Sequence, residues 1–266
     1  NPFWTTVARA VEDTANKYGY HIIIGNTDES PEKQNDYLTF LMKKQVDGFL
    51  LVPTSADTLL PLQKRGVSFV VLDQHYPDIH FDTVRGDSTG GAYALTQHLL
   101  GLGHRRLAII SGPRDLPTAA DRVAGFLQAL EEAGISEPPQ IYSGGFNHET
   151  GYECTRRILR TTPRPTAIFA TNNSITVGTM RALLEAKLRI PDELSVVGFD
   201  EFPPAITYDP FLTVAAQPAY QIGQKATELL LSRLDGIGPC APQEIVFPVE
   251  IIVRRSSGKP PPQLSS

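Results

Sequence analysis

The stretch Ser195-Val196-Val197-Gly198-Phe199-Asp200-Glu201 decides the fold of this chain. Its first five residues form an apolar run, opened by Pro191 and closed by Pro203-Pro204, which predicts a buried strand. Ligands of open parallel sheets bind at the carboxyl ends of the strands, so this strand would place Asp200 on the wall of a binding cleft. The plainer interpretation of a lone aspartate is a solvated loop acid, and that is what we expect of Glu201.

The composition favours a globular protein and excludes several other classes. The chain has 266 residues, a net charge of −5 and 41% hydrophobic residues, which is enough for one large domain or two of ordinary size. The negative charge argues against nucleic-acid binding by these residues alone. Two cysteines indicate no dependence on disulfides, and no apolar stretch approaches the roughly 20 residues that cross a bilayer. The start Asn1-Pro2-Phe3-Trp4 has no initiator methionine, so we expect a longer gene product.

Around the opening stretch, helical and strand patterns alternate along most of the chain. The strands are apolar throughout, as in parallel sheets covered by helices on both faces. The pattern restarts near Gly86, which predicts two similar doubly wound units. A single strand over 244–253 and a helix over 219–235 are too little for a third domain, so we expect them to complete the two halves. The other predicted strands are 21–24, 49–52, 67–72, 83–85, 107–110, 140–142, 167–170 and 195–199.

Polar side chains follow several of these strands. Asp73 follows one, Asn172 and Asn173 follow another, and Asp200 follows a third. Such residues often only cap helices or form turns, but together they offer the paired donors and acceptors that suit a polyhydroxylated ligand. Arg122 would serve such a ligand as a bidentate donor if it faces the cleft, although a surface arginine is the plainer interpretation.

Signatures of catalysis and metal binding are missing from the sequence. It contains no nucleophile elbow, P-loop, dinucleotide-binding glycine motif or zinc-protease motif. The six histidines show no metal-ligand spacing. We therefore predict a protein that is not an enzyme, with no catalytic residue, no metal site and no cofactor.

Several stretches together resemble the lactose/galactose repressor (LacI/GalR) family of bacterial transcription regulators. They include the opening N-P-F-W, G-N-T-D-E-S-P-E-K-Q at 25–34, G-H-R-R-L-A-I-I-S-G-P at 103–113, D-R-V-A-G-F at 121–126 and I-P-D-E-L-S-V-V-G-F-D at 190–200. The resemblance implies an α/β fold of two doubly wound parallel-sheet lobes with three crossovers, of the type I periplasmic-binding-protein kind. It divides the chain into an N-terminal lobe (1–85 plus 217–242) and a C-terminal lobe (86–216 plus 243–255). The proline-rich end, 256–266, is expected to be disordered.

The resemblance also implies where an effector binds, namely between the lobes. Aromatic rings would stack on a sugar, and charged groups would bind its hydroxyls. Arg122 would lie beside Asp200 and pair with it. The implied effector contacts are Phe3, Trp4, Asp73, Arg122, Phe146, Asn172, Asn173, Asp200 and Gln217.

The sequence departs from the family pattern at two places. Asn172-Asn173 stands where the family most often has Asn-Asp, which removes a carboxylate and would alter hydroxyl binding. Leu116 and Pro117 replace polar groups of purine-responsive members, which argues against a purine effector. The family's helix-turn-helix and hinge helix are not among these residues, so operator DNA would be contacted only through that other part of the protein.

The resemblance predicts the effector-binding and dimerisation core of a cytoplasmic, sugar-responsive repressor. A carbohydrate effector would act allosterically on DNA binding by a homodimer, with no membrane partner. An extracytoplasmic sugar-binding protein of a transporter would share the fold and remains the alternative. An enzyme on the same scaffold is a third, less favoured hypothesis.

Overall fold

A computed structural model describes residues 1–76, 80–202 and 209–262. Helices and strands alternate along most of it. In chain order they are α1 (Pro2–Lys17), α2 (Pro31–Lys43), β1 (Gly48–Leu51), α3 (Leu60–Lys64), β2 (Ser68–Leu72), β3 (Thr83–Gly86), α4 (Ser88–Gly101), β4 (Leu107–Ser111), α5 (Pro117–Glu132), β5 (Gln140–Ser143), α6 (His148–Ile158), β6 (Ala167–Ala170), α7 (Asn173–Glu185), β7 (Ser195–Phe199), β8 (Thr213–Ala216), α8 (Ala219–Leu234), β9 (Glu244–Phe247) and β10 (Glu250–Ile252).

The chain divides into two compact units. The larger unit comprises Asn1–Phe3, Asp87–Gln217 and Pro248–Ser266, and the smaller unit comprises Trp4–Gly86 and Pro218–Phe247. The fold is therefore α/β with two separate sheets, as predicted.

The larger unit is built on a six-stranded sheet of order β10-β8-β7-β6-β4-β5. All pairs are parallel except β10 with β8. Alternate strand residues face opposite ways: Phe169 packs with α4 and α5, whereas Ile168 packs with α6 and α7. Both faces are thus covered, which explains why the strands have no polar face. The carboxyl ends of the five parallel strands meet at one edge of this sheet.

The smaller unit has a four-stranded parallel sheet of order β1-β2-β3-β9. Helix α8 packs across β1, β2 and β3. Helix α1 lies close to α8 because Gly223 has no side chain: a Cβ there would lie 2.5 Å from the carbonyl oxygen of Val7. Leu38 and Leu62 pack against Phe49, Leu51 and Val71.

The predicted strand over 21–24 is wrong. These residues are not in the sheet, and Ile23 and Ile24 are 66% and 68% exposed. A strand requires a hydrogen-bonding neighbour. Among the described residues β1 is an edge strand that pairs only with β2, so residues 21–24 form no ladder with it although its outer side is unpaired.

The predicted single strand over 244–253 is also wrong, because it is two strands. β9 pairs with β3 in the smaller unit, and β10 pairs with β8 in the larger unit. Pro248 lies between them and cannot donate a ladder hydrogen bond, which ends β9. Residues 244–247 therefore lie outside the unit to which the 243–255 boundary assigned them.

Disorder from residue 256 onward is wrong for the first part of the tail. Ser256 is fully buried, its carbonyl oxygen accepts a hydrogen bond from Val196 N at 2.8 Å, and its Oγ accepts one from Thr213 N at 2.8 Å. Ser256 thus continues the hydrogen bonding of β7 and β8. Residues 263–266, like Pro203 and Pro204, lie outside the described part of the chain.

Candidate functional site

Asp200 lies directly after β7 in a left-handed backbone conformation, with φ of 74°. Its backbone N–H donates to the carbonyl oxygen of Ala215 at 2.8 Å, which ties the turn to β8. Its Oδ1 accepts a hydrogen bond of 2.7 Å from Nε2 of Gln217, and the residue is only 3% exposed. Aspartate is one of the few residues that enters the left-handed region readily, and the hydrogen bond from Gln217 holds its carboxylate.

Arg122 is buried in α5, so the interpretation as a surface arginine is wrong. Its Nη1 donates to the carbonyl oxygen of Thr171 at 2.6 Å, and its guanidinium lies 3.9 Å from the ring centroid of Phe199. The cation is thus stacked on the last residue of β7 and held at the exit of β6, by which we mean the residues that directly follow the carboxyl end of a strand. Among the described residues, Oδ1 of Asp200 accepts a hydrogen bond from Gln217 and no hydrogen bond joins it to Arg122, contrary to the pairing that we expected.

The two asparagines at the exit of β6 have different roles. Asn172 caps α7, because its side-chain oxygen accepts from Ile175 N at 2.8 Å. Asn173 is the first residue of α7, and its Nδ2 donates to the carbonyl oxygen of Glu201 at 3.3 Å. The capping interpretation is therefore correct for the oxygen of Asn172, whereas Asn173 reaches across to the exit of β7.

Four polar atoms at this edge are buried and have no hydrogen-bond partner among the described residues. They are Nε of Arg122, Oγ1 of Thr171, Oδ1 of Asn173 and Oε1 of Gln217. An unsatisfied buried polar group costs about 1–3 kcal/mol, so these four atoms are candidates for contacts with a polar ligand. We call Arg122, Thr171, Asn173, Asp200 and Gln217 the exit cluster. It offers both donors and acceptors, the combination that a polyol requires.

Thr171 was not among the predicted site residues. The sequence shows it as part of the exit of β6, but a threonine there carries no distinguishing signal. Its importance follows only from its burial and from its free hydroxyl.

Phe146 follows β5 and is half-buried against the core. Its ring lies directly on Gly112, which follows β4: a Cβ on Gly112 would lie 2.3 Å from Cζ of Phe146. The ring therefore lies beside the carboxyl ends of β4 and β5, which are neighbouring strands of the same sheet. Its placement depends on the absence of a side chain at position 112.

Phe3 belongs to the larger unit, where it is buried, and its backbone N–H donates to Oδ1 of Asn1 at 3.0 Å. Trp4 and Asp73 belong to the smaller unit. Asp73 directly follows β2 with φ of 64°, and its N–H donates to Val84 in β3 at 3.1 Å. It thus repeats the local structure of Asp200.

Glu201 is not the solvated acid that we expected. It is half-buried, and Nη2 of Arg254 lies 2.8 Å from its Oε1. This pair could not be predicted from the sequence, because the partners are 53 residues apart.

Residues 1–76, 80–202 and 209–262 contain neither a metal-ligand cluster nor a membrane-spanning helix. No group of three or more His, Cys, Asp or Glu side chains is arranged to hold a metal ion. No helix there has the length and apolar character needed to cross a membrane.

Known proteins resemble this chain over nearly its whole length. A periplasmic binding protein-like domain matches residues 96–257. The HTH-type transcriptional repressor PurR of Actinobacillus pleuropneumoniae serotype 3 (strain JL03) is 34% identical over 259 residues, covering 96% of this chain and 77% of the repressor. The ribose operon repressor of Halalkalibacterium halodurans is 35% identical over 257 residues, covering 97% and 76%.

Among solved structures, a LacI family transcriptional regulator from Enterococcus faecium with bound ribose superposes with a TM-score of 0.85. It is 33% identical, with 97% of this chain and 95% of that chain covered. These relatives are regulators and not transporter components, which favours the first of the alternative functions. The chain belongs to the LacI family and is the effector-binding core of a transcription regulator.

Proposed function

We propose that the exit cluster binds a sugar, with ribose as the first candidate. The observation that carries this proposal is the set of four buried, unpartnered polar atoms on Arg122, Thr171, Asn173 and Gln217. Each hydroxyl of a pentose donates and accepts, so it matches the Nε donor of Arg122 and the oxygen acceptors of Asn173 and Gln217. The bound ribose of the Enterococcus faecium relative supports the same class of ligand.

Phe146 would contribute a ring face for the apolar side of the sugar, as the resemblance implies. Asp200 would accept hydrogen bonds from hydroxyls and not act as a general acid or base. The contacts assigned to Phe3, Trp4, Asp73 and Asn172 stay predictions.

The protein would work as a cytoplasmic homodimer. Sugar binding would change the affinity of a helix-turn-helix domain, outside these residues, for operator DNA. An effector shifts such an equilibrium only by its different affinity for the two states, typically about 1–3 kcal/mol. The HTH-type repressors that resemble this chain support the arrangement.

Calorimetric titration with ribose tests the site. Arg122→Met removes the guanidinium but keeps an apolar side chain of similar length on Phe199. We expect the variant to lose about 2–4 kcal/mol of ribose affinity, because it loses a charged donor in a buried site. Arg181→Met is the matched control, since Arg181 is an exposed arginine on α7 and its loss should leave affinity unchanged.

A thermal-shift panel of pentoses, hexoses, disaccharides and nucleosides tests the class of ligand. We expect the largest shift from a pentose. Wild-type protein that responds to nucleosides and to no sugar would refute the proposal, as would unchanged ribose affinity in Arg122→Met.

A further inference from the structure

The connection from β7 to β8 begins with Asp200 and Glu201 and ends at Leu212. Arg254, which follows β10, reaches both of its ends. Its Nη2 lies 2.8 Å from Oε1 and 2.9 Å from Oε2 of Glu201, and its Nη1 donates to the carbonyl oxygen of Leu212 at 3.0 Å. One side chain thus joins the start and the end of this connection.

Arg254 is itself fixed in position. Its backbone N–H donates to Oγ1 of Thr213 at 2.9 Å, and Oγ1 of Thr213 lies 3.1 Å from the carbonyl oxygen of Arg254. Two residues later, Ser256 is bonded to Val196 and Phe211. The guanidinium therefore extends from a backbone that is anchored to the sheet, and its planar fork loses little freedom on pairing.

Glu201 connects this pair to the exit cluster in two ways. It directly follows Asp200, so its position affects the left-handed turn from which that carboxylate extends. Its carbonyl oxygen accepts the hydrogen bond from Nδ2 of Asn173 at 3.3 Å, which leaves Oδ1 of Asn173 as the unpartnered acceptor. Movement of Glu201 would therefore displace two groups of the cluster together.

The pair is also partly shielded from water. The side chains of Arg254 and Glu201 are 19% and 29% exposed. A shielded pair is less weakened by solvent than a surface pair, so it is able to hold Glu201 in one position.

We propose that Arg254 and Glu201 are positioning residues for effector binding, and this rests on the proposed sugar function of the exit cluster. Neither residue touches the effector. Arg254 holds Glu201, and Glu201 aligns the carboxylate of Asp200 and the amide of Asn173.

The test uses Arg254→Met, Glu201→Gln and the double variant, with ribose as the probe. We expect Arg254→Met to weaken ribose binding about tenfold, because small misplacements of polar groups are costly in a preorganised site. Arg254→Lys should recover part of the loss. The double variant should bind no more weakly than Arg254→Met, since both substitutions remove the same pair.

Arg255→Met is the matched control. Arg255 is the next residue and pairs with Asp209, but its side chain is 64% exposed. We expect no change in ribose affinity. A loss equal to that of Arg254→Met would show a general effect of charge in this segment and would overturn the proposal.

Hydrogen exchange of the backbone amides of 200–202, measured without sugar, separates positioning from the proposed function. Faster exchange in Arg254→Met, with weaker ribose binding, supports the pair as a positioning device. Unchanged exchange overturns it, whether or not ribose binds. If wild-type protein binds ribose and Arg254→Met exchanges faster but binds ribose equally well, the proposal is also overturned. If wild-type protein binds no sugar in the panel, the proposed function fails, and the link from this pair to effector binding fails with it.

Discussion

At the scale of single residues, the exit cluster is preorganised at a cost in stability. Asp200 adopts a left-handed backbone conformation, and buried polar atoms on four neighbouring residues have no partner within the described part of the chain. Unpartnered buried groups typically cost about 1–3 kcal/mol each, and functional sites are where such features accumulate. A bound sugar would recover part of this cost, so effector binding should stabilise the larger unit.

The contact between Gly112 and Phe146 gives a prediction at the same scale. Gly112→Ala would place a Cβ 2.3 Å from Cζ of Phe146 and so displace the ring. We expect a loss of about 1–3 kcal/mol in stability, as for other overpacked sites, together with weaker ribose binding. Thermal unfolding and calorimetry measure the two effects.

Gly101→Ala is the control for this prediction. Gly101 is the last residue of α4, and nothing lies within 4 Å of an added Cβ. Alanine there should be neutral or slightly stabilising, with unchanged affinity. If Gly112→Ala behaves like Gly101→Ala, the ring does not depend on this glycine.

At the scale of elements, the strand exits determine where the helices begin. Asn172 lies between β6 and α7 and caps α7, so the same residue starts a helix and borders the exit cluster. Asp87 has the corresponding capping role for α4, where its Oδ1 accepts from Gly90 N at 2.8 Å. At both positions the polar side chain after a strand uses one oxygen to cap a helix. Only the atoms that the cap does not use are available to a ligand.

Substitutions of Asn172 separate these roles. Asn172→Ala should destabilise the protein by about 0.5–2 kcal/mol through loss of the cap, whereas Asn172→Ser retains a capping oxygen and most of the stability. Both remove the amide nitrogen, so we expect both to weaken ribose binding in calorimetry. Ser30→Ala, at the exposed cap of α2, is the control for a cap without a ligand. Full affinity in Asn172→Ser would leave Asn172 as a cap alone.

The sequence predicted most elements because helical and strand periodicities are local properties. It failed over 21–24 and 244–253, where the outcome depends on which strand lies alongside. The exit residues Asn173 and Asp200 were also predictable, since topology alone places them at one edge. The stacking of Arg122 on Phe199 and the pairing of Glu201 with Arg254 were not, because they join residues that are distant in the chain.

At the scale of the whole chain, the C-terminal segment is held at the opposite edge of the large sheet by a buried histidine. His104 lies between Thr166 and the tail, with Nδ1 2.8 Å from Oγ1 of Thr166 and Nε2 2.9 Å from the carbonyl oxygen of Gly258. A carbonyl oxygen only accepts, so Nε2 carries the proton in the neutral ring. The described residues beyond β10 are therefore part of the larger unit and not an appendage.

This arrangement predicts a loss of stability in acid. Burial lowers the pKa of His104 below its usual value, and the nearby His98 lowers it further, against the carbonyl of Gly258. As the pH falls, the unfolded chain therefore takes up the proton at a higher pH than the folded protein does. The contribution of His104 to the free energy of unfolding is complete above about pH 6.5 and decreases as the pH falls below it. Because one proton is involved, the free energy of unfolding changes by at most about 1.4 kcal/mol per pH unit.

Thermal unfolding midpoints between pH 7.5 and 5 check this prediction. We expect the midpoint of His104→Gln to fall less over this range than that of wild-type protein. His148→Gln changes an exposed histidine at the start of α6 and should behave as wild type. Equal pH dependence in all three proteins would contradict the role of His104.

The left-handed aspartates after β2 and β7 also restrict how the sequence can drift. Glycine, asparagine and aspartate enter this conformation most readily, so folding alone favours these three residues at positions 73 and 200. Of these, glycine has no side chain and asparagine has no charge. A homologue that carries glycine at one of these positions would keep its fold and lose a carboxylate. Such a homologue would be expected to bind a different effector or none.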